Sequence, residues 1–166
     1  MSRPARLRRW AAALLWACGG AACAQVSITD DRGVVVRIAA PPQRIVSLVP
    51  SLTEVVCELG ACERLVGTDR YANWPERVRA LPKLGGLEDT QVERLVALKP
   101  DLVLLAKSSR ALDRLQALGL PVLALEPQDW AGTLRVVNQL ADVLGMPAAG
   151  RKLTLRINER IGAAAL

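Results

Sequence analysis

Hydrophobic and polar positions along residues 25–166 separate short apolar runs from longer amphipathic segments. Two apolar runs flank the polar turn Asp30-Asp31-Arg32-Gly33, and they predict a β-hairpin formed by Val26–Thr29 and Val34–Ile38. Four further apolar runs are bounded by turn residues, which is typical of parallel strands buried on both faces. These runs are Ile45–Leu48, Leu65–Thr68, Leu102–Leu105 and Val122–Leu125.

Amphipathic segments between and after these strands predict helices. The first helix follows Ser51, which begins a capping-box pattern with Glu54, and it ends at Gly60. The other predicted helices have apolar residues at helical spacing or high helix propensity. They cover Asp89–Leu98, Ala111–Leu118, Trp130–Leu144 and Ala148–Leu166. Strands that alternate with helices predict an α/β fold, with a right-handed, Rossmann-like parallel sheet.

Ligands of parallel α/β sheets bind beyond the carboxyl ends of the strands, where loops and helix N-termini meet. This rule selects four loops, which are residues 49–51, 69–74, 106–109 and 126–130. The second loop contains Tyr71 and Trp74, whose rings either offer a stacking surface for a flat ligand or cover the sheet edge. Lys107 in the third loop is a further candidate ligand contact.

The chain has no histidine, which excludes a Ser-His-Asp triad and any zinc or haem site with imidazole ligands. It also has no dinucleotide-binding glycine motif, no P-loop and no nucleophile elbow. Gly85-Gly86 is interpreted as a turn, and Glu88-Asp89 as charge at the entry to a helix. We therefore expect no enzymatic activity, no cofactor and no metal ion held by the protein. A chelatase-like enzyme is the alternative, with Asp69 and Glu126 as its candidate groups.

The net charge of +6 and the pI near 9.7 would favour a polyanionic partner if the charge lay on the folded domain. Arginines instead precede the apolar run Trp10–Ala17, and small residues then lead to Ala22-Cys23-Ala24. This order predicts a secretory signal peptide over residues 1–24 and a periplasmic protein. Its removal leaves a nearly neutral chain, so no nucleic-acid partner is expected. Lipidation of Cys23 is the alternative, which would give a lipid-anchored form.

Two cysteines, Cys57 and Cys62, lie beyond the predicted signal peptide, and disulfides persist in an exported protein. Gly60 lies between them and could turn the chain back at the end of a helix so that the sulfur atoms meet. A disulfide and a pair of small buried thiols both fit this pattern. A metal site is less favoured, because no third or fourth soft ligand is present.

Several segments carry a family resemblance, and V-A-L-K-P-D-L-V over residues 96–103 is a fairly specific one. The segments are Ile45–Glu54, Leu65–Gly67, Tyr71–Pro75, Leu84–Gly86 and Val92–Val103. Over residues 44–150 the chain resembles the N-terminal lobe of the periplasmic cobalamin- and ferric-siderophore-binding proteins of ABC importers. The resemblance implies two α/β lobes joined by one long helix, with the ligand held between the lobes.

The same resemblance implies roles for particular residues. Residues 25–147 would form the N-terminal lobe, and residues 148–166 the beginning of the connecting helix, with the second lobe absent. Ser51 and Tyr71 would face the ligand, and Glu93 would form salt bridges with arginines of the membrane permease.

Leu87 is a further candidate ligand contact. Leu87 and Ala106 lie at positions where vitamin B12 binders of this kind have tryptophan, so part of the aromatic cradle for the corrin is missing.

The sequence therefore predicts a monomeric extracytoplasmic solute-binding protein, or its N-terminal lobe. It would capture a cobalamin-type ligand or an iron chelate, such as a ferric siderophore or haem, and deliver it to an ABC permease. The absence of histidine argues against the related zinc and manganese receptors. A lone lobe would leave one face of the ligand in water and bind weakly, so an interaction module without transport activity is the alternative.

Overall fold

The computed structural model describes residues 25–164, and the predicted signal peptide lies outside this range. The strands are β1 (Val26–Thr29), β2 (Val35–Ile38), β3 (Ile45–Ser47), β4 (Leu65–Thr68), β5 (Leu102–Leu105) and β6 (Val122–Ala124). The α-helices are α1 (Pro50–Glu58), α2 (Val92–Ala97), α3 (Leu112–Ala117), α4 (Trp130–Val143) and α5 (Pro147–Ala164). Two short 3-10 turns cover Cys62–Arg64 and Glu76–Ala80. The predicted α/β fold is confirmed.

Strands β3 to β6 form one parallel sheet in the order β4-β3-β5-β6, and β1 and β2 form a separate antiparallel hairpin. Ile45 of β3 pairs with Leu65 of β4 on one side and with Leu102 of β5 on the other. Because all four strands point the same way, their carboxyl ends meet at one edge of the sheet. We call this the carboxyl edge, formed by residues 49–51, 69–74, 106–109 and 126–130.

Both faces of the sheet are buried, as the continuous apolar runs predict. Successive residues of a strand point to opposite faces, so Leu104 of β5 packs with α1 and α4 while Val103 packs with α2 and α3. Full burial of one such side chain contributes about 1.5 to 3 kcal/mol, which makes the two apolar layers the main source of stability.

The turn of the hairpin is bonded to the free edge of the sheet at β6. The backbone amide of Asp31 donates to the carbonyl oxygen of Ala124 at 3.0 Å. Burial by itself would raise the pKa of Asp30, but hydrogen bonds from Arg32 and from the amides of Ala124 and Val34 hold it below the ordinary value. The hairpin therefore protects an edge strand that would otherwise have unpaired backbone groups.

The predicted capping box at Ser51 and Glu54 is wrong. Helix α1 begins at Pro50, its N-cap is Val49, and no side chain caps it. Proline suits the first helical position because its φ angle is fixed and its missing N–H needs no partner there. The Val49 carbonyl oxygen instead accepts from both the amide and the hydroxyl of Thr53, at 3.1 and 3.2 Å.

The helix predicted from Asp89 begins only at Val92, so Glu88-Asp89 is not helix-entry charge. Asp89 is used in the preceding loop, where its Oδ1 atom accepts from the amide of Gly86 at 2.9 Å. A short polar residue that closes a turn in this way competes with helix formation.

Cys57 near the end of α1 is bonded to Cys62 in the first 3-10 turn, so the structure has the disulfide rather than two thiols. Gly60 between them has a φ angle of +92°, which an L side chain rarely adopts. Since α1 runs away from the carboxyl edge, the disulfide lies at the opposite end of the sheet.

Candidate functional site

The carboxyl edge carries four of the predicted contact residues, Ser51, Tyr71, Trp74 and Lys107, and they are spread along it. The strand order places loop 69–74 at one end, followed by 49–51, then 106–109, then 126–130 at the other end. The edge is therefore a row of side chains beside the sheet, and its contact with a ligand stays a prediction.

Tyr71 and Trp74 present large aromatic surfaces to solvent. Tyr71 is 67% exposed and Trp74 is 59% exposed, although both belong to a loop with a buried interior. The guanidinium carbon of Arg70 lies 5.8 Å from the centre of the Tyr71 ring, which is within the range of a cation–π contact. Arg70 itself is ion-paired with Asp89. One side of the Tyr71 ring is thus supported by the protein while most of the ring stays accessible.

The buried Asp69 and the half-buried Lys83 hold this loop from beneath. Asp69 is 1% exposed, and its Oδ1 atom accepts from the amides of Tyr71 at 2.7 Å and Ala72 at 3.1 Å. The Lys83 ammonium donates to the carbonyl oxygens of Ala72 at 2.6 Å and Val78 at 3.0 Å. Lys83 belongs to no periodic pattern in the sequence, where it is a single lysine between Pro82 and Leu84.

Leu87 lies between the loops that follow β4 and β5. It is 42% exposed, and its carbonyl oxygen accepts from the amide of Arg110 at 3.2 Å. The turn before it requires glycine, since Gly85 has a φ angle of +95° and an added Cβ would lie 2.4 Å from the Asp89 carbonyl oxygen. The tight turn places Gly86 under Tyr71, where an added Cβ would lie 3.5 Å from the Tyr71 ring.

The other end of the carboxyl edge is polar. The exposed Lys107 and the half-buried Glu126 line a cavity of about 420 Å³ that also contains Asp31, Gln128 and Arg135. Glu126 is fixed at both its amide, which donates to Asp31 at 2.6 Å, and its carboxylate, which accepts from the amide of Ser108 at 3.0 Å. This end offers hydrogen-bond donors and acceptors rather than an apolar surface.

Ser51 lines a different cavity from Lys107. Its exposed side chain lines a groove of about 400 Å³ between α1 and α5, at the end nearest the carboxyl edge. The groove also includes Val55, Ile157 and Arg160. Neither this groove nor the Lys107 cavity includes Tyr71 or Trp74. The structure brings the predicted contacts to one edge but does not enclose them in one cavity.

Glu93 lies on the outer surface, in the first turn of α2, with its side chain 74% exposed. It is ion-paired with Arg114 of α3. The hydrogen bond from its own backbone amide and then the pairing with Arg114 lower the pKa of Glu93, so it is ionised at neutral pH. An exposed carboxylate of this kind is available for an ionic contact with another protein.

Two further classes of feature are missing from the part of the chain that the structure describes. Between residues 25 and 164, no helix is both long and apolar enough to cross a membrane. The same residues contain no group of three or more cysteine, aspartate or glutamate side chains placed to hold a metal ion.

Known proteins share both the sequence pattern and the fold. The profile of the family described as "Periplasmic binding protein" matches residues 45–165. The vitamin B12-binding protein of Vibrio campbellii is 27% identical over 126 residues, which cover 74% of this chain and 46% of that protein. That of Yersinia pestis is 37% identical over 92 residues, covering 54% of this chain and 33% of that protein.

Among solved structures, a periplasmic heme-binding protein from Pseudomonas aeruginosa superposes with a TM-score of 0.69 at 30% identity. The match covers 75% of this chain and 46% of that protein. The chain thus spans between a third and a half of the length of these relatives.

Proposed function

Because the chain belongs to the periplasmic binding protein family, we propose that it captures a planar metal chelate of the cobalamin or haem type at its carboxyl edge. The observation that carries this proposal is the pair of exposed rings, Tyr71 and Trp74, on a loop with a buried interior. Relatives are named as vitamin B12-binding and heme-binding proteins, and both ligands are flat macrocycles with a metal at the centre. The protein acts here as a binding protein and not as an enzyme.

The two ends of the edge suit different parts of such a ligand. The exposed rings of Tyr71 and Trp74 and the exposed side chain of Leu87 supply apolar contact to the macrocycle, and aromatic stacking adds about 0.5 to 1.5 kcal/mol beyond burial. Lys107 supplies a cation near the polar side groups at the ligand's rim. Ser51 supplies a hydroxyl between these two ends.

A specific observation favours haem as one of the two ligands. Haem iron is held in proteins by His, Cys, Met or Tyr side chains. Beyond the predicted signal peptide the chain has no histidine, Cys57 and Cys62 are joined in a disulfide, and Met146 is packed against the apolar core. Tyr71 is the only tyrosine in the chain, and it is an exposed residue of the carboxyl edge. A direct bond from its hydroxyl oxygen to ferric iron, made in place of stacking the Tyr71 ring on the macrocycle, would select haem over a chelate whose metal has no free coordination position.

We further propose that residues 25–147 act as one lobe and that residues 148–166 begin a connecting helix. In the described part of this segment, Leu153 is buried against the lobe while Leu155 is 63% exposed. A helix that packs by one face and leaves apolar residues on another face can also contact a second lobe. Such a lobe would cover the face of the ligand that the carboxyl edge leaves open.

Delivery to an ABC permease in the periplasm is the last part of the proposal, with Glu93 as the docking residue. Exposed ion pairs contribute little to stability, so Glu93→Ala should leave folding nearly unchanged. Uptake of labelled hemin or cyanocobalamin into cells that depend on this protein should fall, while Glu159→Ala, which removes an exposed carboxylate of α5, should not reduce it. Equal uptake by both variants would remove Glu93 from the docking surface.

The test of binding is a fluorescence titration of the full chain without its predicted signal peptide. Hemin, cyanocobalamin and a ferric hydroxamate siderophore are added separately, and quenching of tryptophan fluorescence is followed to saturation. We expect saturable quenching by at least one tetrapyrrole at about 50 µM or below, which corresponds to about −6 kcal/mol. For hemin, Tyr71→Phe should also change the absorption spectrum of the complex. Linear, unsaturable quenching by all three compounds would contradict the proposal.

A further inference from the structure

Asp69 is buried and Lys83 is half-buried, and both form hydrogen bonds to the backbone of the loop that carries Tyr71 and Trp74. Burial raises the pKa of Asp69 and lowers the pKa of Lys83, so burial disfavours the charged form of both groups. The Oδ2 atom of Asp69 is buried and has no hydrogen-bond partner among the described residues. A buried carboxylate with one unpartnered oxygen lowers stability, so stability alone does not account for Asp69 at this position.

Asp69 and Lys83 both form hydrogen bonds to the backbone of Ala72, and Lys83 also donates to Thr68 and Val78. Asp69 accepts from the amide of Ala72, and Lys83 donates to the carbonyl oxygen of the same residue, so Ala72 is bonded through both of its backbone groups. Asp69 also accepts from the amide of Tyr71, and its own amide donates to Ser47 of the central strand β3 at 3.0 Å. The backbone under the aromatic rings is therefore connected to the middle of the sheet.

A loop backbone that is already held in one conformation should increase the affinity for a ligand. Ordering of side chains and loops on association reduces affinity, and an arrangement that is already ordered avoids that loss. Ala72 is 3% exposed while Tyr71 is 67% exposed, so the anchored residue lies inside and the neighbouring ring points outward. The bonds to Asp69 and Lys83 hold the backbone and leave the ring surface free.

We propose that Asp69 and Lys83 are positioning residues that hold the Tyr71–Trp74 loop in its ligand-binding conformation, an inference that rests on the proposed function. Neither residue touches the ligand. Asp69 acts through the amides of Tyr71 and Ala72, and Lys83 acts through the Ala72 carbonyl oxygen.

The test compares substitutions at Asp69 with a matched aspartate elsewhere. Asp101 also accepts two backbone hydrogen bonds, from Gln43 at 2.7 Å and Arg44 at 2.9 Å, but it lies before β5, at the edge of the sheet opposite to the candidate site. Asp69→Ala should weaken hemin or cyanocobalamin binding about tenfold or more, whereas Asp101→Ala should change it less than about twofold. Asp69→Asn keeps the Oδ1 acceptor, so it should restore binding to near the wild-type value.

A second readout needs no ligand. Hydrogen exchange at the amides of Tyr71 and Ala72 should become at least about tenfold faster in Asp69→Ala, with exchange in β3 and β5 unchanged. Where Asp69→Ala does not fold, Lys83→Met is measured in the same way, at the same two amides. Wild-type exchange rates at Tyr71 and Ala72, or wild-type affinity in a folded Asp69→Ala variant, would overturn the inference. If the wild type binds neither tetrapyrrole, the proposed function fails, and the exchange rates still decide whether Asp69 holds the loop.

Discussion

The Oδ2 atom of Asp30 accepts a hydrogen bond at 3.3 Å from the backbone amide of Ala124, which bonds the hairpin turn to the last residue of β6. The same carboxylate is ion-paired with Arg32 at 2.6 Å, and its side chain is 0% exposed. Removal of one member of a buried ion pair leaves the other charge unpaired in an apolar environment. The hairpin is therefore a fixed part of the lobe, although it belongs to a separate sheet.

Asp30→Ala should lower the free energy of unfolding by about 3 kcal/mol, because it removes several hydrogen bonds and leaves Arg32 unpaired. Urea denaturation followed by far-UV circular dichroism measures this difference. Glu159→Ala, at an exposed position on α5, serves as the control and should change stability by less than about 0.5 kcal/mol. Equal stabilities of the two variants would show that the contacts of Asp30 do not stabilise the folded protein.

The contribution of Asp30 to the free energy of unfolding should also depend on pH. Its pKa in the folded protein is below the ordinary value of 3.8, so folding favours the ionised form. The resulting stability is present in full above pH 3.8 and is lost as the pH falls through the folded-state pKa. The stability difference between the wild type and Asp30→Asn should therefore be constant from about pH 5 to pH 7 and shrink below about pH 4. A difference that grows on acidification would contradict this assignment.

The Cys57–Cys62 disulfide should matter for stability and not for binding. It closes a short loop at the end of the sheet opposite to Tyr71, with a sequence separation of 5. Loop-closure entropy for so short a loop corresponds to about 2 kcal/mol. The double variant Cys57→Ala, Cys62→Ala should lose about that much in urea denaturation, and its affinity for hemin or cyanocobalamin should stay within about twofold of the wild type. A large loss of affinity would show that the disulfide also helps to hold the candidate site in its binding conformation, which would contradict this prediction.

Gly85 should be far less tolerant of substitution than Gly119. Both have positive φ angles, but an added Cβ at Gly85 meets the Asp89 carbonyl oxygen at 2.4 Å while nothing lies within 4 Å at Gly119. Gly119→Ala should lower the free energy of unfolding by about 1 kcal/mol, because alanine disfavours the positive φ angle at this position. Gly85→Ala should cost at least about 2 kcal/mol, because the loop must also shift. Urea denaturation of both variants checks the difference, and equal values would mean that the loop adapts freely.

The sequence was sufficient to predict the sheet because its strands are buried on both faces. Uninterrupted apolar runs such as Leu102–Leu105 leave few alternatives, and the structure has this strand with the predicted bounds. The α/β alternation then determines which loops share an edge, so the location of the candidate site also follows from the sequence.

Helix starts and loop contacts were less predictable, because they depend on which polar group finds a partner. Ser51 is of a residue type that is preferred at the N-cap, but the helix already begins at Pro50, so Ser51 lies inside its first turn. Asp89 bonds Gly86 in the preceding turn instead of starting α2. The contact of Lys83 with Ala72 joins residues that no periodicity relates, so only the folded structure reveals it.

The proposed function depends most directly on the role of Tyr71 in holding a flat metal chelate. The decisive measurement is the dissociation constant of the full chain for hemin and for cyanocobalamin, compared among the wild type, Tyr71→Ala and Leu118→Ala. Leu118 is 54% exposed at the end of α3, away from the carboxyl edge, and controls for the loss of an exposed apolar side chain. We predict saturable binding by the wild type and by Leu118→Ala, and about tenfold weaker binding by Tyr71→Ala, equivalent to about 1.4 kcal/mol. Binding of neither compound by the wild type, or equal affinity of the two variants, would contradict the account.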